Sequence, residues 1–282
     1  MAFAVSAPSR WPAPAKLNLF LHVMGRRPDG YHDLQTVFQL IDLADDIEIE
    51  VRSDGIIERG SGPADVPPEA DLVVRAARAL QTAAGSRQGA NLSVTKRIPM
   101  GGGLGGGSSD AATVLVALNR LWNCGLVIDD LADIGVKLGA DVPVFVRGRS
   151  AWAEGRGERL TPVDLPERCF VLVHPKVHVP TATVFQAPEL TRNSPPITMG
   201  GFLESGGRND FEPVVRARYP EVARALDWLG QFAPARLTGT GSCIFAPCAS
   251  RNEAQDIVER VPAPWRGMVA RGMNVSPLLT EL

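Results

Sequence analysis

Alternating apolar and polar positions predict β-strands at several places along the chain. Between residues 16 and 23 every second residue is apolar, as in a half-buried strand: Leu17, Leu19, Leu21 and Val23. A Pro-Asp-Gly turn at 28–30 follows this strand. Further strands are predicted at 47–51, at 90–98, around Ile244 and near Met268.

Apolar residues at helical spacing predict helices between these strands. One helix is expected at 72–80 and another after the glycine-rich segment, with Ser108 or Ser109 as its N-cap. A shorter helix should follow Asp129 and end near Gly139, ahead of Pro143, which cannot continue a helix. The remaining helices are expected at 209–218, 221–232 and 251–261. Because strands and helices do not alternate as regular βαβ units, the pattern predicts an α+β protein.

Composition narrows the class of protein. The 282 residues carry 29 basic and 31 acidic side chains, which argues against a broad cationic surface for nucleic acid. No apolar run approaches the roughly 18 residues that span a bilayer, and no secretory signal is recognisable, so we expect a soluble, cytoplasmic protein without a membrane partner. The four cysteines lack CxxC spacing, which predicts reduced thiols rather than zinc or a disulfide framework.

Six glycines among the seven residues 101–107 form the strongest single feature of the sequence. They lie between a predicted strand and a predicted helix, a position that favours a built loop over a flexible linker. Backbone N–H groups of such a loop, with the helix N-terminus, can bind phosphate oxygens because glycine has no Cβ to block their approach. The Gly-Lys-Ser/Thr ending of a Walker A sequence is missing. The loop therefore predicts an anion site of another kind.

The same glycines also fit the GxGxxG pattern of dinucleotide-binding proteins, through Gly101, Gly103 and Gly106. A Rossmann unit would place an acidic residue at the end of a second strand about 20 residues further on. Asp129 and Asp130 lie near that distance, but they begin a predicted helix. A dinucleotide-dependent oxidoreductase is therefore the alternative from a different reaction class.

Three segments together resemble a known enzyme family: PAKLNLFLHVMGRRPDGYHDLQTVF, PMGGGLGGGSSDAA and RLTGTGSCIFA. They are similar to the small-molecule kinase superfamily of galactokinase, homoserine kinase, mevalonate kinase and phosphomevalonate kinase. The resemblance covers almost the whole chain and implies a two-domain α+β fold. Residues 1–160 would form an ATP-binding domain like the second domain of ribosomal protein S5, and residues 161–282 a ferredoxin-like domain on the substrate side. It also implies ATP and Mg2+ as cofactors.

Within that superfamily, PAKLNL and PDGYH are similar to the branch that phosphorylates diphosphocytidyl-methylerythritol. The resemblance implies transfer of the ATP γ-phosphoryl group to a hydroxyl of the methylerythritol unit, in the non-mevalonate route to isoprenoid precursors. Asp141 would accept the proton of that hydroxyl, while Lys16 would hold Asp141 ionised and offset developing negative charge. Asn18 shares a strand face with Lys16 and would contact the substrate.

The resemblance assigns the ATP phosphates to the glycine-rich loop and the strand before it. The residues concerned are Lys96, Pro99, Met100, Gly101, Gly102, Gly103, Leu104, Gly105, Gly106, Gly107, Ser108 and Ser109. It identifies no ligand for Mg2+, for which Ser108, Ser109 and Asp110 are candidates. Asp71 stands where relatives carry Asn, and since an ionised carboxylate accepts but does not donate hydrogen bonds, their contact to the base edge is not carried over to it.

The resemblance also places Tyr31, His32 and Phe185 around the cytosine of the substrate. Aromatic rings can stack on a planar base, and a histidine can read the base edge by hydrogen bonds. Thr181 is expected to cap the helix that begins there and to lie near the substrate. The loop 238–242 is expected to close over the substrate side.

Two further alternatives stay open. A kinase for another small alcohol, such as mevalonate or homoserine, would leave Tyr31 and Phe185 unexplained, because those acceptors contain no cytosine. A non-catalytic nucleotide-binding module would have no need of Lys16 together with Asp141. The oligomeric state does not follow from the sequence.

Overall fold

The computed structural model describes residues 7–280, which form ten strands and ten helices, with one turn of 3-10 helix at Pro68–Ala70. The strands are β1 Ser9–Arg26, β2 His32–Arg52, β3 Ile57–Ser61, β4 Gly89–Thr95, β5 Ala151–Gly155, β6 Arg159–Pro162, β7 Cys169–His174, β8 Arg236–Leu237, β9 Ile244–Cys248 and β10 Arg266–Met273. The helices are α1 Leu72–Ala84, α2 Gly106–Leu121, α3 Ile128–Leu138, α4 Val142–Arg147, α5 Thr181–Phe185, α6 Met199–Ser205, α7 Glu212–Arg218, α8 Pro220–Leu229, α9 Arg251–Val258 and α10 Pro277–Thr280.

The long strand β2 organises the sheet. It spans 21 residues and pairs antiparallel with β1, β4, β5 and β10. The main path runs β3-β4-β2-β10-β7-β9-β8, with β1 and β5 paired to β2 and β6 paired to β5. Among the described strands, β3 and β4 form the one parallel pair. A mostly antiparallel sheet whose helices do not alternate regularly with strands confirms the predicted α+β class.

Two large apolar clusters pack against this sheet. Helices α1 to α4 build the first cluster with β1, β2 and β4, and it contains Leu80 and Leu118. Helices α5, α7, α8 and α9 build the second with β7 and β9, and it contains Val171 and Leu226. Leu21 of β1 belongs to the second cluster, although the same strand also packs in the first. Strand β1 therefore carries its residues to the place where the clusters meet, while a domain division near residue 160 stays a prediction.

Strand β1 is buried on both faces, whereas its alternation predicts a half-buried strand. Leu17 from the apolar set and Phe20 from the other set are at most 1% exposed. The polar residues Lys16 and Asn18 are also buried, at 3% and 2% exposure. A buried polar group costs free energy unless it is hydrogen-bonded. The segments that pack on this face of β1 must therefore supply hydrogen-bond partners for Lys16 and Asn18.

The predicted unit of strand, glycine loop and helix is present as β4, the loop and α2. The prediction of Ser108 or Ser109 as N-cap is wrong, because α2 already begins at Gly106 with Gly105 as its N-cap. The N–H of Ser109 donates to the Gly105 carbonyl at 2.9 Å within the helix, and its hydroxyl donates to the Pro14 carbonyl at 2.6 Å. The left-handed backbone of Gly105, with φ 74°, lets the helix start directly from the glycine run.

The predicted helix near Asp129 is confirmed as α3, which begins one residue earlier and ends at Leu138. The chain then forms a further helix, α4, Val142–Arg147, although Pro143 predicts the end of helical structure at this point. Pro143 lies in the first turn of α4, where a missing N–H has no helical partner to lose. Asp141 is the N-cap residue of this helix, so α4 fixes its place in the molecule.

Candidate active site

The glycine-rich loop forms one wall of a cavity. The loop residues 99–108 line it with Lys96 and Asp110, and the turn before α1 supplies the opposite wall. Gly101, Gly103 and Gly105 have φ values of 67°, 76° and 74°, a conformation that side chains rarely adopt. The loop thus presents backbone to the cavity at the start of α2, as an anion site requires.

The other side of the loop packs against the segment 238–242. A Cβ atom on Gly103 would lie 2.3 Å from the Thr238 carbonyl oxygen, so this position has room for glycine alone. The Cys243 N–H donates to the Gly102 carbonyl at 3.1 Å. Gly239 and Thr240 of the same segment line a second, adjoining cavity. The two small-residue loops therefore hold each other in place between the two apolar clusters.

Lys16 and Asp141 meet in the second cavity. The Lys16 Nζ lies 3.4 Å from Asp141 Oδ2, and it donates to Asn18 Oδ1 at 2.5 Å and to the Gly103 carbonyl at 3.0 Å. The Lys16 side chain is 4% exposed, whereas that of Asp141 is 33% exposed. The ammonium is thus fixed from the protein side, while the carboxylate stays open to a molecule in the cavity.

Asn18 orients the Lys16 ammonium. Its Nδ2 donates to Thr36 Oγ1 at 3.0 Å, and the Thr36 hydroxyl donates in turn to the Phe20 carbonyl. The Asn18 backbone N–H donates to Thr238 Oγ1 at 2.9 Å. These bonds fix the amide with its oxygen toward Lys16 and leave Asn18 at the cavity wall. Thr36 was missed by sequence reasoning, although it lies in the first of the three motifs.

The two cavities share Gly103, Gly105 and Ser108 as lining residues. A phosphoryl group bound at the end of the loop would therefore lie beside Lys16 and Asp141. The hydroxyl of Ser109, by contrast, is directed to β1 through its bond to the Pro14 carbonyl. Ser108 is therefore the serine that lies where the two cavities join.

Lys96 is held by two carboxylates rather than left free for a ligand. Its Nζ pairs with Asp45 and lies 2.7 Å from Asp110 Oδ2. Asp45 also accepts the backbone N–H groups of Arg97 and Ile98 at 2.5 and 2.8 Å. Burial raises the pKa of Asp110 to about 7, against the opposing charge of Lys96. Burial also opposes the charge on Lys96, but Asp110 and Asp45 outweigh it and raise the pKa of Lys96.

A third cavity contains Tyr31, His32 and Phe185, together with Thr181. The rings of His32 and Phe185 lie 5.1 Å apart at 36°, whereas Tyr31 is 57% exposed. The prediction of Thr181 as a helix cap is wrong, because α5 begins at Thr181 with Pro180 as its N-cap. The Thr181 hydroxyl instead pairs with that of Thr240 at 3.0 Å, which ties α5 to the small-residue loop.

His32 is positioned by Arg192, which sequence reasoning missed. The Arg192 Nε donates to His32 Nε2 at 3.1 Å, and its other N–H groups donate to the carbonyls of Phe185, Ala187 and Leu190. Burial lowers the pKa of His32, and the positive charges of Arg192 and Arg26 lower it further. His32 is therefore a neutral imidazole whose Nε2 accepts a hydrogen bond, with Nδ1 as the remaining nitrogen.

Comparison with known proteins decides the family. The GHMP kinases N terminal domain matches residues 71–149, and the GHMP kinases C terminal matches residues 189–267. A protein of Alkalilimnicola ehrlichii, named 4-diphosphocytidyl-2-C-methyl-D-erythritol kinase, is 57% identical over 272 residues, which are 96% of this chain and 94% of that protein. The chain belongs to the GHMP kinase family. The family predicted from the three sequence motifs is thereby confirmed.

Solved structures agree with this GHMP kinase assignment. A crystal structure of 4-(cytidine 5'-diphospho)-2C-methyl-D-erythritol kinase is 36% identical, with a TM-score of 0.83 over 94% of this chain and 99% of that one. The mevalonate kinase of Methanococcus jannaschii is 16% identical, with a TM-score of 0.71 over 95% and 99% of the two chains, and shares the fold. The oxidoreductase alternative is wrong: Asp129 and Asp130 lie in the first turn of α3, not at the end of a strand.

Asp71 has a structural role in this GHMP kinase. Its Oδ1 accepts the Val73 N–H at 3.2 Å as the N-cap of α1, and its Oδ2 accepts from Arg59 Nη1 at 2.5 Å. Arg59 also donates to the Val66 carbonyl at 2.8 Å, which ties the turn before α1 into the wall of the phosphate cavity. Both carboxylate oxygens thus bond to protein donors, as suits a side chain that can accept but not donate.

The side chains where the phosphate cavity meets the Lys16–Asp141 cavity fit a metal ion that binds mainly to the phosphates of a ligand. Across residues 7–280, no group of three or more His, Cys, Asp or Glu side chains is arranged to hold a metal. Asp110 Oδ1 is buried without a partner in this range, but the Lys96 ammonium 2.7 Å from the other oxygen would repel a divalent cation. Mg2+ commonly keeps several waters and binds substrate phosphates with one or two protein oxygens. Ser108 at the junction could supply such an oxygen.

The described helices include none that could cross a bilayer, since none is both long and apolar enough.

Proposed function

We propose that this GHMP kinase transfers the γ-phosphoryl group of ATP to a hydroxyl of 4-diphosphocytidyl-2-C-methyl-D-erythritol, giving the 2-phosphate and ADP. The order of the three cavities carries this proposal. The phosphate loop adjoins the Lys16–Asp141 pair through Ser108, and that pair adjoins the aromatic pocket through Phe185 and Thr181. An acceptor with a polyol at one end and cytosine at the other fits this order. The names of the relatives point to the same acceptor.

In this mechanism Asp141 accepts the proton of the attacking hydroxyl. Its partly exposed carboxylate faces the cavity, and its position at the start of α4 keeps it there. Lys16 offsets the negative charge that develops on the transferred group, with its ammonium fixed by Asn18 and the Gly103 carbonyl. Fixed groups need little reorganisation during transfer, which is how positioning and charge lower the barrier in phosphoryl transfer.

The backbone of the glycine-rich loop and the N-terminus of α2 hold the ATP phosphates. Lys96 lies at the wall of this cavity, but its charge is offset by Asp45 and Asp110, so its part is to support the start of the loop. Mg2+, when bound with ATP, would neutralise phosphate charge near Ser108. The hydroxyl of Ser109 bonds to β1, so its part in the ATP site is to hold the first turn of α2 against that strand.

Tyr31 and Phe185 bind the cytosine by stacking, and His32 reads its edge. Phe185 is supported from behind by Phe211, whose ring lies 4.7 Å away at 69°. The neutral state of His32 suits contact with an uncharged base. Acceptors such as mevalonate or homoserine contain no ring, so they would leave this pocket unused. We also propose that the protein acts in the cytoplasm, where the four free thiols of the described residues would stay reduced.

ADP release measures this activity directly. We expect release with ATP and diphosphocytidyl-methylerythritol, and none above background with mevalonate or homoserine. Asp141→Asn should lower kcat by about 100- to 10,000-fold, since it removes the base but keeps the shape of the side chain. ADP release that does not depend on the acceptor, or full activity of Asp141→Asn, would contradict the proposal.

A further inference from the structure

One cation in the cleft has no part in the mechanism above. Arg156 lines both the cavity of Lys16 and Asp141 and the aromatic cavity that contains Tyr31. Four other residues line both cavities and carry no charge: Leu34, Ala140, Thr181 and Phe185. Within the described residues, Arg156 is thus the charged side chain that the two cavities share.

The backbone of Arg156 is fixed at the tip of the β5–β6 hairpin. Its N–H donates to Glu158 Oε2 at 2.6 Å, and the Gly157 N–H donates to the Glu154 carbonyl at 3.1 Å. Gly155 and Gly157 have φ values of 71° and 108°, which a tight turn of this kind requires. Because β5 pairs with β2 from residue 34 onward, the turn is held beside the cleft.

The Arg156 guanidinium is not committed to a protein carboxylate. Its centre lies 4.8 Å from the centroid of the Tyr31 ring, and no described acid lies within ion-pair distance of it. Its charge acts at longer range on Asp29, which is already paired with Arg27. Arg192 differs, because its donors are bound to His32 and to three carbonyls. Arg156 therefore keeps hydrogen-bond donors available to a ligand.

We propose that Arg156 binds the diphosphate of the acceptor and makes the enzyme selective for a nucleoside diphosphate ester. This inference rests on the proposed function. An acceptor with its base at Tyr31 and its hydroxyl at Asp141 must place the diphosphate between them, where Arg156 lies. A guanidinium can donate two parallel hydrogen bonds to phosphate oxygens while its face stays on an aromatic ring. Arg156 would therefore hold both the diphosphate and the ring that stacks on the base.

Equilibrium binding of cytidine, CMP and CDP to the full chain tests this role. The titrations use saturating non-hydrolysable ATP analogue, so that cytidine compounds report on the acceptor side of the cleft. Arg156→Met should weaken CDP by about 10- to 100-fold and cytidine by much less, because the lost hydrogen bonds are to a charged group that cytidine lacks. The CDP affinity of Arg156→Lys should lie between those of the wild type and Arg156→Met, since lysine keeps the charge but not the paired donors.

Arg159→Met is the matched control, since Arg159 is an exposed arginine three residues away that lines none of these cavities. It should bind all three compounds as the wild type does. An equal loss of cytidine and CDP in Arg156→Met would show that Arg156 acts through Tyr31 alone, and would overturn the assignment. Unchanged CDP affinity would overturn it as well. A wild-type chain that binds neither cytidine nor CDP would instead contradict the proposed function, and the assignment with it.

Discussion

Lys16 and Lys96 lie along the same cleft in different surroundings. Lys16 faces one partly exposed carboxylate, on Asp141, and two neutral oxygens. Lys96 faces two carboxylates, of which Asp45 is fully buried and Asp110 nearly so. The charge of Lys16 is therefore offset by one carboxylate, whereas that of Lys96 is offset by Asp45 and by Asp110, whose pKa is about 7.

The difference separates the two lysines by role. Asp45 binds Lys96 and also the backbone N–H groups at 97 and 98, just before the glycine-rich loop. Lys96 thereby joins β2, the start of the loop and α2 into one polar cluster. Such a cluster stabilises the loop even without a ligand. Removal of Lys16 leaves one carboxylate, that of Asp141, without its cation, and this carboxylate is partly exposed, so we expect the loss of Lys16 to affect the reaction more than the fold.

Lys16→Met gives the largest expected effect on the reaction. We expect kcat to fall by about 100- to 1,000-fold, because a fixed charge beside the transferred group is removed. The KM for ATP should change little, since the glycine loop binds the other phosphates. Thermal melting measured in parallel separates this effect from loss of folded protein. A kcat close to that of the wild type would show that Lys16 has no direct part in the reaction.

Lys96→Met should instead reduce stability. Removal of Lys96 leaves two buried carboxylates without their cation, which commonly costs about 3–5 kcal/mol in the free energy of unfolding. Urea denaturation measures this loss. Lys137→Met is the matched control, because Lys137 is an exposed lysine on α3 that forms no ion pair with a described residue. If both variants unfolded at the same urea concentration, the polar cluster would not stabilise the loop.

Tyr31→Ala extends the comparison to the far end of the cleft. Loss of one stacking ring should raise the acceptor KM by about tenfold, in line with roughly 1–3 kcal/mol for each stacked base. Because Tyr31 is mostly exposed, the fold should be unaffected. Steady-state kinetics with each substrate varied in turn provide the measurement. A larger change in the ATP KM than in the acceptor KM would show that Tyr31 does not bind the acceptor.

Asp110→Asn concerns the pH dependence of stability rather than the reaction. The pKa of Asp110 is about 7 in the folded chain against 3.8 for a free side chain, so the folded state holds an additional proton between these values. This group therefore contributes stability at low pH that is lost as the pH rises toward 7. The free energy of unfolding of Asp110→Asn should fall less than that of the wild type between pH 4 and pH 7. Equal slopes would show that Asp110 ionises normally.

The local parts of the site could be predicted from the sequence. Glycine spacing and the apolar period predict the loop and α2, because both depend on neighbouring residues. The family resemblance selects Lys16 and Asp141, which the structure places 3.4 Å apart. It also selects Tyr31, His32 and Phe185, which line one cavity.

The remaining features depend on contacts between distant segments. Asp45 is 51 positions from Lys96, and nothing in the local pattern of β2 marks it as the partner of a lysine. Arg192 is 160 positions from His32. The start of α2 was misplaced because Ser109 has the chemistry of a cap, but its hydroxyl bonds to β1 instead. Hydrogen bonds and ion pairs between distant segments form only when the fold brings those segments together, so local sequence patterns do not predict them.

The single-turnover rate of Lys16→Met, Asp141→Asn and the double variant tests most directly whether Lys16 and Asp141 act as one unit. Saturating ATP and acceptor remove binding from the measurement. We expect the double variant to react about as slowly as the slower single variant, because residues that act together do not contribute independently. A double variant slowed by the product of the two single effects would contradict it.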